Sequence, residues 1–179
     1  MINADNTLQT VGVKRASIVD NGPLRIVITD APSDLNMETH LNELISLRVK
    51  HVVRACEPTY ATSALESAGI TVHDLQFKDG GPPSDQVRNQ WLELVENCFF
   101  KGGIAENERI SVHCIAGLGR APVLVAIALI EFCKMEPIDA VEYIRRVRRG
   151  AINVRQFNYL ETYVPTRTSA PTCGSCSIQ

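Results

Sequence analysis

Apolar and polar residues alternate with two different periods along this 179-residue chain, and the changes of period mark out its elements. Residues 16–20 and 25–29 are short β-branched runs on either side of Asn21-Gly22-Pro23, a turn signal, and predict an opening hairpin. From 34 to 48 the spacing becomes helical, with Leu41, Leu44 and Ile45 on one face. Residues 51–55 predict a strand, 62–67 a short helix stopped by Gly69, and 71–75 another strand. Glycines, prolines and Asp79 make 77–83 a loop, and Ser84 is placed to cap the next helix. There Val87, Trp91, Leu94, Val95 and Cys98 line the inner face. A polar loop at 101–107 leads to a strand at 109–112, a glycine-rich turn and a very apolar helix over 120–134. Pro137 opens a further helix, with Ile138, Val141, Ile144 and Val147 inward and Gly150 at C′. Residues 156–163 predict the last helix.

Strands alternating with helices predict an α/β fold, a single domain whose central, largely parallel twisted sheet is flanked by helices. The length suits one domain, at about 150 residues each. The folded part is expected over 14–164, between an N-terminal segment, 1–13, and a tail, 165–179. The tail's Thr, Ser, Pro, Gly and Cys content predicts disorder. A polar start argues against a signal peptide. The longest apolar run, 121–130, is well short of the ~18–20 residues that span a bilayer.

The net charge of -2 gives no reason to expect nucleic acid. Six cysteines stand at 56, 98, 114, 133, 173 and 176. Cys173 and Cys176 are two residues apart but have no second ligand pair, and His40, His51 and His73 lack metal spacing, so neither metal nor cofactor is expected. With no secretory signal, a reducing compartment is the expectation, and each cysteine needs its own explanation. Cys98 and Cys133 fall on apolar helical faces and read as core.

The segment His113-Cys114-Ile115-Ala116-Gly117-Leu118-Gly119-Arg120-Ala121 carries the chemistry. A buried strand delivers Cys114, a turn with two glycines follows, and Arg120 opens a helix. Backbone N–H groups and a helix N-terminus then converge on one spot suited to an oxyanion such as phosphate. That surrounding favours the thiolate of Cys114. Arg120 can hold two phosphate oxygens in its planar fork. Nucleophile, cradle and clamp together describe phosphoryl transfer through a phosphocysteine. A core cysteine beside an ordinary turn is the plain alternative. The preceding strand, paired glycines, helix-opening arginine and Pro122 together outweigh it. His113 reads as an orienter of the loop.

The pattern His-Cys-x5-Arg resembles the protein tyrosine phosphatase signature, and HCIAGLGRAPVLVAIALIE, 113–131, resembles the phosphatases of regenerating liver, in the dual-specificity-like superfamily. The likeness continues through Val53-Arg54-Ala55-Cys56, Phe77-Lys78-Asp79-Gly80-Gly81-Pro82-Pro83, Arg148-Arg149-Gly150-Ala151 and the ending Cys176-Ser177-Ile178-Gln179. It implies hydrolysis of phosphotyrosine in phosphoprotein substrates, with phosphoserine and phosphothreonine left open. Cys114 would be the nucleophile and Asp79 the general acid, with Asp74 and Asp85 as alternatives. Ile115, Ala116, Gly117, Leu118, Gly119 and Arg120 would bind the phosphate. The resemblance further implies a reversible Cys56–Cys114 disulfide and a slow second step, because Ala121 stands where most tyrosine phosphatases carry Ser or Thr. It implies as partner a magnesium-transport mediator of the cyclin-M type, and it leaves room for a homo-oligomer.

The ending fits a farnesylation box at Cys176. One lipid chain anchors only marginally, so a second signal is expected, either a palmitoyl group on Cys173 or the arginines at 145–149. A solvated helix face is the plainer reading of those arginines. The expected location is the cytoplasmic face of the plasma or endosomal membrane, with a cytosolic pool. This chain departs from the family in Leu75-Gln76, in Lys78 beside Asp79, and in a tail almost without basic residues. Three other functions compete with this reading. A phosphocysteine-controlled binding module stays open. A rhodanese or arsenate reductase fits less well because an Asp loop precedes the signature, and an inositol-lipid phosphatase because 115–119 holds no lysine.

Overall fold

The computed structural model of the chain describes residues 16–167, so the segment 1–13, Cys173 and Cys176 lie outside the described residues. Its strands are β1 (Ala16–Asn21), β2 (Leu24–Asp30), β3 (Val49–Arg54), β4 (Thr71–Asp74) and β5 (Arg109–Cys114). They form one sheet in the order β1-β2-β5-β3-β4. β1 and β2 pair antiparallel across a turn in which Gly22 takes φ +54. The remaining neighbours are parallel. The helices are α1 (Met37–Ser46), α2 (Ser63–Ser67), α3 (Asp85–Phe99), α4 (Arg120–Cys133), α5 (Pro137–Val147) and α6 (Val154–Glu161). This is the expected α/β architecture. No helix among the described residues is long and apolar enough to cross a membrane.

Period-two alternation sends strand side chains to two separate cores. Ile26 and Ile28 of β2 join Val53, Ile110 and Val112 beneath α3, α4, α5 and α6. Val27, between them, packs with Val52 against Leu44 of α1 and Leu65 of α2. α4 is buried on every side over 120–132, which is why its sequence shows no polar face. Trp91 of α3 is fully buried against it and donates its indole N–H to the Leu124 carbonyl at 2.7 Å. Each such large side chain contributes about 1.5–3 kcal/mol through burial.

Several element details differ from the expectation. α1 starts only after Asn36, and Ile45 is 51% exposed, because His40 and Leu44 form the buried face. Ile138 of α5 is 55% exposed, and Ala140, Val141 and Ile144 are the buried residues. Gly150 is not the C′ residue, because the helix ends at Val147 and Arg148 caps it. α6 starts at Val154 rather than 156, because Asn153 and Gln156 form a capping box. Cys98 is buried as expected, whereas Cys133 is half-buried.

The chain also remains docked beyond residue 164. Glu131 of α4 is fully buried, and its carboxylate accepts from the Tyr163 hydroxyl, the Thr166 amide and hydroxyl, and the Arg167 amide. Burial alone would raise its pKa, but those bonds outweigh it and hold the carboxyl below the usual range. The expected tail boundary at 165 therefore falls on residues that pack against the domain.

β2, β3 and β5 end at the same edge of the sheet. Asp30 lies opposite Cys114 and Arg54 opposite His113. In parallel sheets this carboxyl edge is where ligands bind.

Candidate active site

Cys114 is the last residue of β5, and α4 starts at Arg120. Between them the carbonyls of four successive residues are held from outside the turn. Ile115 O accepts from Ala31 N at 3.0 Å, and Leu118 O from Ile152 N at 2.8 Å. Ala116 O and Gly117 O accept from the Arg148 guanidinium at 2.9 and 2.6 Å. Because each peptide is planar, fixing a carbonyl outward turns the N–H of the next residue inward. The amides of the turn are thus aimed at a cavity of about 340 Å³ lined by Cys114, Ile115, Ala116, Leu118, Gly119 and Arg120. Gly119 caps α4 without a side-chain bond, so the first-turn amides face the same cavity. Gly117 takes φ +62, and a Cβ there would overlap Arg148 and the Thr29 carbonyl. Only glycine fits this position.

Arg120 is 4% exposed and is gripped by neighbours. Its Nη1 donates to Glu57 Oε2 at 3.3 Å and to the Phe77 carbonyl at 3.2 Å. Its Nε lies 3.3 Å from Asp79 Oδ1, an ion pair out of line for a hydrogen bond. Arg120 and Asp79 both line the cavity. Glu57 is exposed, and its carboxyl is held below the usual range by its own backbone amide and then by Arg120. The Asp79 side chain is 80% exposed. The two alternative acids lie elsewhere: Asp74 is locked on Arg54, and Asp85 pairs with Arg88 on α3.

Behind Cys114 a polar chain runs from buried His113, Tyr60 and Arg54 to the exposed Asp74. Arg54 holds Asp74 with two bonds of 2.6 and 2.8 Å, and donates to the Tyr60 carbonyl at 2.9 Å. The Tyr60 hydroxyl meets His113 Nε2 at 2.7 Å, and His113 Nδ1 lies 3.4 Å from the Cys114 carbonyl. Burial pushes the Tyr60 hydroxyl up, so it remains the donor and His113 Nε2 the acceptor. Burial likewise lowers His113 from 6.5 to about 4. A depressed value stabilises the fold above the unfolded pKa of 6.5, and that contribution is lost as pH falls towards 4. His113→Asn, which cannot titrate, should therefore lose less stability than the parent between pH 7 and 4.5, by roughly 2–3 kcal/mol. Urea unfolding at both pH values reads this, and equal losses would exclude His113 as the titrating group.

Cys56 follows β3 and is fully buried beside the site, where burial raises its thiol despite the opposing field of Arg120. It and Cys114 are both unbridged thiols. The arginines at 145–149 do not act as one patch. Arg148 is buried against the turn after Cys114, and Arg145 binds the carbonyls of Ala151 and Ile152. Arg146 is exposed beside Glu142, and Arg149 is exposed. Neither of the two earlier readings of this cluster describes Arg148. The departure at Leu75 has a packing role, since that side chain is 6% exposed in the main core.

Sequence reading passed over Glu57, Tyr60, Arg148, Asn153 and Gln156. A signal existed for the last two, since Asn-x-x-Gln ahead of an apolar run is a capping box. Arg148 stood in the family-like run 148–151, but nothing local showed its role or that of Tyr60, because their partners at Gly117 and His113 lie far away along the chain.

A strand-end cysteine under an amide cradle, with a buried arginine at the following helix, defines a cysteine-dependent phosphatase of the dual-specificity class. Comparison with known proteins agrees. A family model described as a DSP-PTPase phosphatase of polymorphic toxin systems matches residues 29–134. A Dictyostelium discoideum protein assigned as protein tyrosine phosphatase type IVA A is 50% identical over 155 residues, 87% of this chain and 91% of the relative. Human protein tyrosine phosphatase type IVA 3 is 47% identical over 142 residues, 79% of this chain and 80% of the relative. A solved Leishmania major chain assigned as a protein tyrosine phosphatase superposes with a TM-score of 0.76 at 39% identity, covering 83% of this chain and 98% of that one. The chain belongs to the PRL, or type IVA, family of protein tyrosine phosphatases.

Proposed function

We propose that the chain dephosphorylates phosphotyrosine in proteins, with slow turnover, through a phosphocysteine at Cys114. The observation that carries this reading is the ring of outward-held carbonyls around Cys114, with the buried Arg120 on the same cavity. In the first step the Cys114 thiolate attacks phosphorus and the S–P bond forms. The P–O bond to the substrate breaks, and Asp79 gives its proton to the departing oxygen. Loop amides and Arg120 stabilise the charge spread over the equatorial oxygens. In the second step water attacks phosphorus, Asp79 takes its proton, and the thiolate leaves.

Ala121, fully buried in the first turn of α4, offers no hydroxyl to the departing thiolate. The phosphoenzyme should therefore be long-lived. The test is single-turnover kinetics with a phosphotyrosine mimic, following alcohol release and acid-quenched phosphoenzyme together. The expected result is a stoichiometric burst followed by a slow phase, and Ala121→Ser should speed the slow phase by roughly tenfold or more. A parent with no burst, or a variant with unchanged slow phase, would remove the phosphocysteine or the Ala121 reading respectively. A long-lived phosphocysteine also supports the second reading, in which that state controls a partner, for which the resemblance offers a magnesium-transport mediator.

Reversible Cys56–Cys114 bridging, farnesylation of Cys176, acylation of Cys173 and attachment to cytoplasmic membrane faces belong to the same proposal. Cys56 follows the strand next to that of Cys114, which supports the first of these. Peptide mapping of protein from cells, before and after mild peroxide, checks the modifications.

A further inference from the structure

The segment that carries Asp79 has few internal anchors. Lys78 and Asp79 are exposed, and Gly80 takes φ +69. Its carbonyls are instead held from two directions. Arg120 reaches Phe77 O at 3.2 Å. From α6, Asn153 Nδ2 reaches Gly80 O at 3.4 Å and Gln156 Nε2 reaches Gly81 O at 3.5 Å. These bonds sit near the upper limit of hydrogen-bond length, so the loop is held loosely.

The two amides are oriented by the helix cap. Asn153 Oδ1 accepts from Gln156 N at 2.9 Å, and Gln156 Oε1 accepts from Asn153 N at 3.1 Å. Each side-chain oxygen is therefore committed inside α6, and each NH₂ group is turned toward the loop. Gln156 is fully buried, and both residues line the cavity with Asp79 and Cys114. A cap needs only the two oxygens. The buried amide nitrogen at 156 requires a further account, and the Gly81 carbonyl supplies it.

We propose that Asn153 and Gln156 are positioning residues for proton transfer: their NH₂ groups latch the Gly80-Gly81 backbone and so hold Asp79 at the leaving oxygen. This rests on the reading of Asp79 as the acid. The latch touches neither phosphorus nor sulfur. Its loss should therefore weaken protonation without weakening the attack of Cys114.

The experiment compares kcat/KM on phenyl phosphate, whose leaving group needs a proton, with kcat/KM on 6,8-difluoro-4-methylumbelliferyl phosphate, whose leaving group needs little help. kcat/KM ends at P–O cleavage, so slow dephosphorylation does not mask the difference. Asp79→Asn serves as reference and should shift the ratio of the two values by on the order of 10²-fold. Asn153→Ser and Gln156→Glu each keep a capping oxygen and lose the NH₂ donor. Each should shift the ratio the same way by roughly tenfold, a fraction of the full acid effect. Thermal unfolding confirms that the variants fold, and the exposed Asn153 position carries the test if the buried 156 variant does not. A shifted ratio in Asp79→Asn with parent-like ratios in the folded variants overturns the latch, as does an equal loss on both substrates. An unshifted ratio in Asp79→Asn overturns the acid assignment itself, and the latch with it.

Discussion

Replacing Cys114 by serine removes phosphatase activity, by on the order of 10⁴-fold or more, and leaves the fold intact. Serine nearly matches cysteine in volume, and at 3% exposure the position has little room to relax differently. What changes is the nucleophile. A hydroxyl has no base beside it here, since His113 spends Nε2 on Tyr60 and faces the backbone with Nδ1. A weakly ionised oxygen must then attack, and any phosphoserine formed would be a poor leaving group. The cradle amides and Arg120 would remain, so inorganic phosphate should still bind. Steady-state rates, acid-quenched phosphoenzyme and unfolding curves check this together. Activity within tenfold of the parent would mean that phosphate is cleaved without sulfur. Cys114→Asp separates the catalyst from the phosphocysteine-controlled binding module: a catalyst loses its effect in cells, whereas a module retains partner binding in a form that mimics the charged state.

Arg148→Met destabilises the protein by about 3–5 kcal/mol, the scale of breaking a buried ion pair from one side. The guanidinium bonds Gly117 O, Ala116 O, Ile28 O and Asp30, and lies near Ser17 Oγ. Methionine fills much of the volume but leaves the Asp30 carboxylate and two loop carbonyls without donors. Those carbonyls can then rotate inward, turning acceptors rather than donors toward the phosphate. Affinity for inorganic phosphate or vanadate should therefore fall together with stability. Arg148→Lys keeps the charge but not the fork, and should lie between the two. Asp30→Asn in the methionine background should recover part of the loss, because the stranded charge is gone. Urea midpoints and vanadate inhibition measure both effects. Unchanged vanadate affinity in a folded Arg148 variant would show that the loop holds its shape without this residue.

Much of the fold was legible because it is written in local patterns. The Asn21-Gly22-Pro23 turn, Ser84 before an amphipathic run, and Pro137 opening a helix each act within a few residues, and each places its element in the structure. Where expectation and structure part, tertiary packing decided. Ile138 and Ile45 have the right spacing for burial, yet neighbouring elements cover Ala140 and His40 instead. Thr166 and Arg167 look like tail and are docked, because a carboxylate from position 131 waits under them.

The site divides in the same way. Cys114, the turn after it and Arg120 are contiguous, so strand, turn and helix start announce an anion cradle by themselves. The groups that give this cradle its polarity are scattered over the chain at Ala31, Glu57, Tyr60, Arg148 and Ile152. A parallel sheet brings such distant segments to one edge only once its strands have paired, and no local pattern encodes that meeting. The order of residues thus determined which thiol and which guanidinium stand at the two ends of the turn that lines the cavity. Folding determined which way the amides point, because a peptide turns inward only when something distant holds its carbonyl out.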